Sequence, residues 1–201
     1  MQRYAKALAH LNRDIELDPG DVLAIASRGE IYRRLKQHDE ALADLNRATD
    51  LDPGYTRGIA TRGLVYHAMR RYDEALADFN QAADLAPRLD WVFASRGETY
   101  RLMRRYNEAL ADFSRAVELG SVGTWTIARR GATYRLMRRY DEALADFNQV
   151  VEFNPADAWT IANRSLVYQA MRRYEEAVAD LNRAIELDPG AAWGIVGRGE
   201  T

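Results

Sequence analysis

The stretch YRLMRRYNEALADF, Tyr100 to Phe113, returns as YRLMRRYDEALADF, Tyr134 to Phe147, one side chain changed and 34 residues later. A fixed period of this length marks a stack of supersecondary units. The rest of the chain keeps the step. Glycine falls at Gly29, Gly63, Gly97, Gly131 and Gly199, with Ser165 in the remaining place. Tyrosine follows three residues on, at Tyr32, Tyr66, Tyr100, Tyr134 and Tyr168. Alanine recurs at Ala7, Ala41, Ala75, Ala109, Ala143 and Ala177, and proline at Pro19, Pro53, Pro87, Pro155 and Pro189. With the phase set at Val22, complete repeats span 22–55, 56–89, 90–123, 124–157 and 158–191. Residues 1–21 are then the end of an earlier repeat and 192–201 the first ten positions of a later one. Positions are numbered from 1 to 34 within this repeat.

Each repeat carries two runs of apolar residues at helical spacing. In the third they are Phe93, Gly97, Tyr100 and Met103, then Ala109, Phe113, Ala116 and Val117. Steps of three and four place one apolar face on each of two helices. Between the runs stands RRYNEA, where Asn107, or Asp in most repeats, reads as the N-cap of the second helix. The LDPG motif ends that helix, because proline cannot continue it. Small residues at Gly97 and Ala109 let the paired helices approach closely. The junction ELGSVGT, 118–124, lacks the aspartate and proline of the others and is expected to be the least regular.

Composition bounds the rest. The chain has 201 residues, is 47% hydrophobic and has a net charge of −2, so disorder is excluded and average charge gives no sign of nucleic acid or membrane. There is no cysteine, which removes disulfides, thiolate metal sites and cysteine nucleophiles. No apolar run nears the ~18 residues that span a bilayer, and the N-terminal sequence does not resemble a signal peptide. A cytoplasmic protein without a membrane partner is expected. The histidines His10, His38 and His67 do not recur in phase with carboxylates, and the glycines form no phosphate-cradling loop. No catalytic residue, metal ligand or cofactor is therefore expected.

The residues Gly97, Tyr100, Ala109 and Phe113, with Pro87 or Pro155, match in register the tetratricopeptide repeat pattern of W-x2-L-G-x2-Y, A-x3-F and P. The chain resembles that family over its whole length. Two departures recur. Ile25, Ile59, Phe93, Ile127 or Ile161 stands at the family's tryptophan position, and arginine replaces the leucine before glycine. The resemblance implies one all-α, right-handed solenoid over 1–201. First helices would line a concave groove and second helices face outward, and stability would be a sum over repeats and their interfaces.

Charge is strongly sorted within the repeat. Of the 28 Lys and Arg, 22 lie at positions 1–17; of the 30 Asp and Glu, 26 lie in the other half. Part of this suits the helix dipoles, with Arg104 and Arg105 ending one helix and Glu108 beginning the next. Another part is read as internal pairing. Arg28, Arg62, Arg96, Arg130 and Arg164, each replacing a core leucine, need partners for their guanidinium groups. Asp44, Asp78, Asp112, Asp146 and Asp180 recur at one position of the second helix and are the candidates.

Projection from the family groove puts positions 2, 5, 9 and 12 on its floor. Position 2 holds Arg57, Trp91, Trp125, Trp159 and Trp193; position 5 is alanine or valine; position 9 includes Glu30 and Glu98. Position 12 holds Arg33, His67, Arg101, Arg135 and Gln169. Trp and Arg are frequent binding anchors, although the tryptophans would equally serve to pack the preceding turn. The expected function is a non-catalytic protein-interaction scaffold for a peptide carrying acidic residues beside apolar anchors. Some family members clamp a C-terminal carboxylate with lysine at position 5 and asparagine at position 9. The alanines at position 5 exclude that clamp here, and Asn163 matches a clamp position without its partners. The competing reading is nucleic acid along Arg70, Arg71, Arg104, Arg105, Arg138, Arg139, Arg172 and Arg173, disfavoured because acids start the adjacent helix. A larger enzyme or regulator carrying this module is a further alternative. The partial repeats at the two ends raise the expectation of head-to-tail self-association.

Overall fold

A computed structural model describes residues 2–120 and 123–190. Among these the chain forms eleven helices and no strand: α1 (Gln2–Leu17), α2 (Val22–Arg34), α3 (His38–Leu51), α4 (Thr56–Ala68), α5 (Tyr72–Leu85), α6 (Asp90–Leu102), α7 (Tyr106–Glu118), α8 (Thr124–Leu136), α9 (Tyr140–Phe153), α10 (Ala158–Ala170) and α11 (Tyr174–Leu187). They group into two compact units, Met1–Thr99 and Tyr100–Thr201. In the first, α2 packs on α3 and α4 on α5, while α1 and α3 lie against the first helix of the next hairpin. In the second, α8 packs on α9 and α10 on α11, with α7 against α8 and α9 against α10. The fold is all-α, built from antiparallel helical hairpins.

The core repeats as the sequence does. Position 4 supplies buried Ile25, Ile59, Phe93, Ile127 and Ile161, and position 20 supplies fully buried Ala41, Ala75, Ala109 and Ala143. Leu45, Phe79, Phe113 and Phe147 fill position 24, also fully buried. The helix crossing is tight at the glycine. A Cβ on Gly131 would stand 2.9 Å from Cε1 of Phe147 and 3.1 Å from Cβ of Asp146; Gly63 meets Phe79 at the same 2.9 Å. Ser165 is accommodated at the equivalent place, its hydroxyl donating to the carbonyl of Ala162 at 2.7 Å.

The turn inside each hairpin departs from the sequence expectation. The second helix starts two residues earlier than RRYNEA suggests. Its N-cap is the second arginine (Arg71, Arg105, Arg139 and Arg173) or Gln37, and no side chain of that residue caps the helix. Asn107 and the aspartates at its position lie inside the first turn, where their charge still favours the dipole. The first arginine of each doublet closes the preceding helix in a left-handed conformation: φ is 60° at Arg70, Arg104 and Lys36, 59° at Arg138 and 61° at Arg172. In the α8 turn the Arg139 amide donates to the Tyr134 carbonyl at 2.9 Å and the Arg138 amide to that of Arg135 at 2.9 Å. This six-to-one and five-to-two pattern is a Schellman end, whose left-handed residue is usually glycine. Arginine holds it at a backbone cost that glycine would not carry.

Between hairpins, Asp52 is extended, as the residue before proline must be, and its carboxylate accepts from the Gly54 amide at 2.9 Å. Asp18 and Asp188 repeat that bond to Gly20 and Gly190. The 118–124 junction departs from this. Helix α7 stops at Glu118 with a helical C-cap at Leu119, and Gly120 turns left-handed at φ 94°. Ser121 and Val122 lie outside the described residues, as does 191–201, on which the expected self-association partly rests. Val150 is fully buried beside Ile127 and Ala128.

Two outcomes follow from this packing. Gly131→Ala forces Phe147 or the helix axis to shift and should lower the unfolding free energy in urea by ~1–3 kcal/mol, whereas Ser165→Ala should cost less. Arg138→Gly should raise stability in the same titration, by up to ~1 kcal/mol after the entropy that glycine adds to the unfolded chain.

Candidate functional site

The arginine before each glycine is a three-way connector. Arg28 donates from Nε and Nη2 to both carboxylate oxygens of Asp44, each at 2.7 Å, and from Nη1 to Oδ1 of Asn12 at 2.8 Å. Arg62 grips Asp78 at 2.8 and 2.7 Å and reaches Asn46 and Thr49 of the preceding second helix. Arg164 holds Asp180, both bonds at 2.7 Å, and Asn148 at 2.8 Å. Arg130 holds Asp146 at 2.9 and 2.7 Å. Arg96 donates to Asn80 at 2.9 Å in the first unit, and Asp112 is buried in the second. The aspartate hydrogen bond raises the pKa of Arg28, Arg62, Arg130 and Arg164, against an opposing effect of burial. These residues face inward and are engaged in the scaffold.

Half of the arginine ridge is neutralised from within. The second arginine of each doublet reaches forward to the glutamate three residues on: Arg71 to Glu74, Arg105 to Glu108, Arg139 to Glu142 and Arg173 to Glu176, at 2.6–2.9 Å. The same guanidinium lies over a tyrosine ring, with centroid distances of 4.6 Å to Tyr66, 4.5 Å to Tyr100, 4.7 Å to Tyr134 and 4.5 Å to Tyr168. The arginine hydrogen bond, before any other cause, holds Glu74, Glu142 and Glu176 below the usual carboxylate range. A cation so engaged is a poor phosphate ligand.

The first-helix face carries two clefts, one in each unit. In the first unit a cleft of about 650 Å³ brings Glu30, Arg57 and Trp91 together with Arg3, Tyr4 and Tyr55. Glu30 bridges Arg33, at 2.6 and 2.9 Å, and Arg34, at 2.6 Å. Burial pushes its pKa up, but the two arginines outweigh it and the net shift is downward. The Tyr55 ring lies on Gly58, where a Cβ would stand 2.6 Å from it. His67 lies outside this cleft; its Nδ1 is 2.8 Å from the Thr99 hydroxyl and its ring meets Tyr72 edge-on. Glu98 is half-buried.

In the second unit a cleft of about 740 Å³ contains Trp125, Trp159, Arg129, Asp157 and Leu187. Trp125 is 47% exposed and touches Phe113 edge-on, while Trp159 is half-buried against Ile127, Ala128 and Val150. The Arg129 guanidinium stacks 4.6 Å from the Trp159 ring centre and 5.5 Å from that of Trp125. Sequence reasoning missed Arg129. Its signal is the doublet Arg129–Arg130 in a place where other repeats have Ser27, Thr61, Ser95 and Asn163 ahead of the connector. Arg101, Arg135 and Gln169 do not line this cleft; Gln169 is exposed and the other two are half-buried. Asn163 is buried, its amide donating to the Trp159 carbonyl at 2.9 Å. Trp193 lies outside the described residues.

Antiparallel hairpins on a 34-residue period, with amphipathic clefts on the first helices, define a helical-repeat interaction module. Family profiles described as tetratricopeptide repeat match residues 1–56, 29–92, 127–157 and 158–191, and the chain belongs to the tetratricopeptide repeat family. Comparison with curated proteins gives no match in sequence. Similar solved structures include YrrB, described as a TPR protein with an unusual peptide-binding site, at 24% identity and TM-score 0.77 over 94% of this chain and 97% of that one. PilF of Pseudomonas aeruginosa aligns at TM-score 0.85 and 17% identity, over 98% and 90% of the respective chains. A tetratricopeptide repeat protein from Parabacteroides merdae aligns at 0.76 and 21%, over 91% and 73%. At these identities the likeness is one of fold. The repeats support a protein-interaction scaffold as the functional class. Among the described residues, no helix is long and apolar enough to cross a membrane.

The connector is testable by stability. Asp146→Ala strands the Arg130 guanidinium and should cost ~2–4 kcal/mol, less than a fully buried pair because Arg130 keeps some solvent contact. Arg130→Leu together with Asp146→Ala removes both charges and should unfold at higher urea than the single variant.

Proposed function

We propose that the chain is a non-catalytic interaction scaffold whose first-helix face holds a peptide segment bearing acidic residues beside apolar anchors. The observation that carries this reading is the second-unit cleft. Trp125 leaves nearly half its surface uncovered, beside a guanidinium stacked between it and Trp159. A large exposed aromatic flanked by arginine is the composition of an energetic anchor. The first-unit cleft repeats the chemistry, setting Trp91, Tyr4 and Tyr55 among Arg3, Arg34 and Arg57 with Glu30 as its acid. Arg57 and Arg129 stand in these clefts where other repeats carry other residues, while tryptophan recurs at position 2. YrrB, of similar fold, is described as having an unusual peptide-binding site, which fits a groove used without the carboxylate clamp.

Selection of a random-peptide library on the chain should return binders that lose at least about tenfold in affinity on Trp125→Ala, the loss typical of an interface anchor. Helicity by circular dichroism should stay unchanged. Binders indifferent to Trp125→Ala, Trp159→Ala and Trp91→Ala alike, or no binders at all, would overturn the assignment.

A further inference from the structure

In the repeat 22–55 the position-12 arginine is neutralised by a glutamate three residues before it. Glu30 and Arg33 show the contact: the guanidinium meets the carboxylate through Nε at 2.6 Å and Nη2 at 2.9 Å. Glu98 and Arg101 repeat the spacing in sequence. Where position 9 is leucine, position 12 carries no guanidinium: Leu64 goes with His67 and Leu166 with Gln169. The repeat 124–157 breaks this rule. Position 9 is Ala132, buried in the helix contact, and position 12 is still an arginine, Arg135.

The consequence is visible in the structure. Nε of Arg135 is buried, and among the described residues no group accepts a hydrogen bond from it. Arg135 makes no ion pair with a described carboxylate. Burial is the largest influence on this guanidinium and lowers its pKa; Tyr140 raises it, and the like charge of Arg101 lowers it again. A buried donor without an acceptor is costly, by an amount comparable to a whole hydrogen bond. The residue as a whole is half-buried, so part of the side chain keeps solvent contact although Nε does not. Nε is out of contact with solvent, position 9 supplies no acid, and the charge of Arg101 adds to its surroundings.

We propose that Arg135 is the anion-reading residue of the second unit, and that it takes a side-chain carboxylate of the bound peptide in the place Glu30 occupies on Arg33. The proposal rests on the peptide-groove reading and adds to it a specific residue and a specific ligand group. A carboxylate matches the guanidinium fork through two parallel bonds. A carboxylate is favoured over a phosphate backbone because the donor left without an acceptor is a single one here, while the second arginine of each ridge doublet is already held by a glutamate.

The test follows the arginine Nε–H resonances by NMR while acetate, inorganic phosphate, single-stranded oligo-uridine and an acidic library-selected peptide are added in separate arms. The Arg135 resonance is identified by its loss in Arg135→Gln, the residue the next repeat carries at Gln169. Acetate and the acidic peptide should shift this resonance saturably, and before the ridge arginines. The Glu→Gln version of the peptide should bind about tenfold more weakly or worse, with no further loss on Arg135→Gln. Ala132→Glu should restore an internal partner and abolish the shift. Should that variant misfold, Arg135→Gln alone decides the matter. An Arg135 resonance unmoved by acetate, or moved no more than the ridge, overturns the proposal while leaving peptide binding intact. Binding of oligo-uridine in preference to acidic peptide overturns the choice of carboxylate. A carboxylate response without any peptide binder would instead sink the peptide groove and leave Arg135 an anion site only.

Discussion

The bonds that tie Arg28 to Asp44 and Asn12 set the terms for everything else. A solenoid lacks a central core, so each repeat must bind its neighbour at one recurring contact. Here that contact is a partly buried arginine whose fork is filled by an aspartate of its own hairpin and whose third nitrogen reaches back to the preceding second helix. A charge in such a place is tolerated only with all its partners present. The requirement fixes the register between hairpins, since a slip of one helical turn would leave both charges unpaired. It also explains the glycine one residue later. The second helix must come close enough for the aspartate to meet the fork, and at that distance no Cβ fits beside Phe79 or Phe147.

The double arginine that runs into acid has a second, separate logic. Its first member bends the chain in a left-handed conformation, and its second member caps the next helix without a side-chain bond to the backbone. Stability for so tight a turn comes from the second guanidinium. It lies on the tyrosine that ends one helix and bonds the glutamate that begins the next, so a single side chain joins the two helices across the bend. Exposed pairs of this kind are individually weak, but each is combined with a ring contact and repeated in every complete hairpin with a doublet. The segregation of charge along the repeat thus serves the turns first. What reaches a partner is the remainder.

What repeats in this chain is legible in its sequence, because a period displays every constraint that each repeat must satisfy. The hairpins, the glycine contact and the recurrence of arginine and aspartate at fixed positions all stand out from the 34-residue step. The structure sets Arg62 and Asp78 at 2.7–2.8 Å. The start of the second helix is displaced by two residues from its expected place because aspartate and asparagine are good N-caps in general. Nothing in their spacing reveals that an arginine has taken the cap while glutamate holds it from the first turn. Arg129 escapes sequence reasoning for the opposite reason. It occurs once, so periodicity treats it as a deviation, and only the coordinates show it lying between two tryptophan rings 34 residues apart.

That contrast separates scaffold from site. At position 6 the other side chains are smaller, and two bond within their own helix: Ser95 donates to the carbonyl of Trp91 at 2.8 Å, and Asn163 to that of Trp159 at 2.9 Å. Ser95 and Asn163 are thereby engaged within their helices. Arg129 instead lies over both indoles, which brings a cation to the cleft. Ala132, one turn further on, removes the acid that Glu30 supplies elsewhere. Both substitutions fall in the repeat 124–157, on one helix, and both leave the arginine–aspartate connector and the glycine contact unchanged. The periodic residues are committed to the interfaces and cannot vary without loss of stability. Recognition of one particular segment is therefore written where the period breaks, and in the second unit the break at Arg129 sets positive charge beside the recurring tryptophans of α8 and α10.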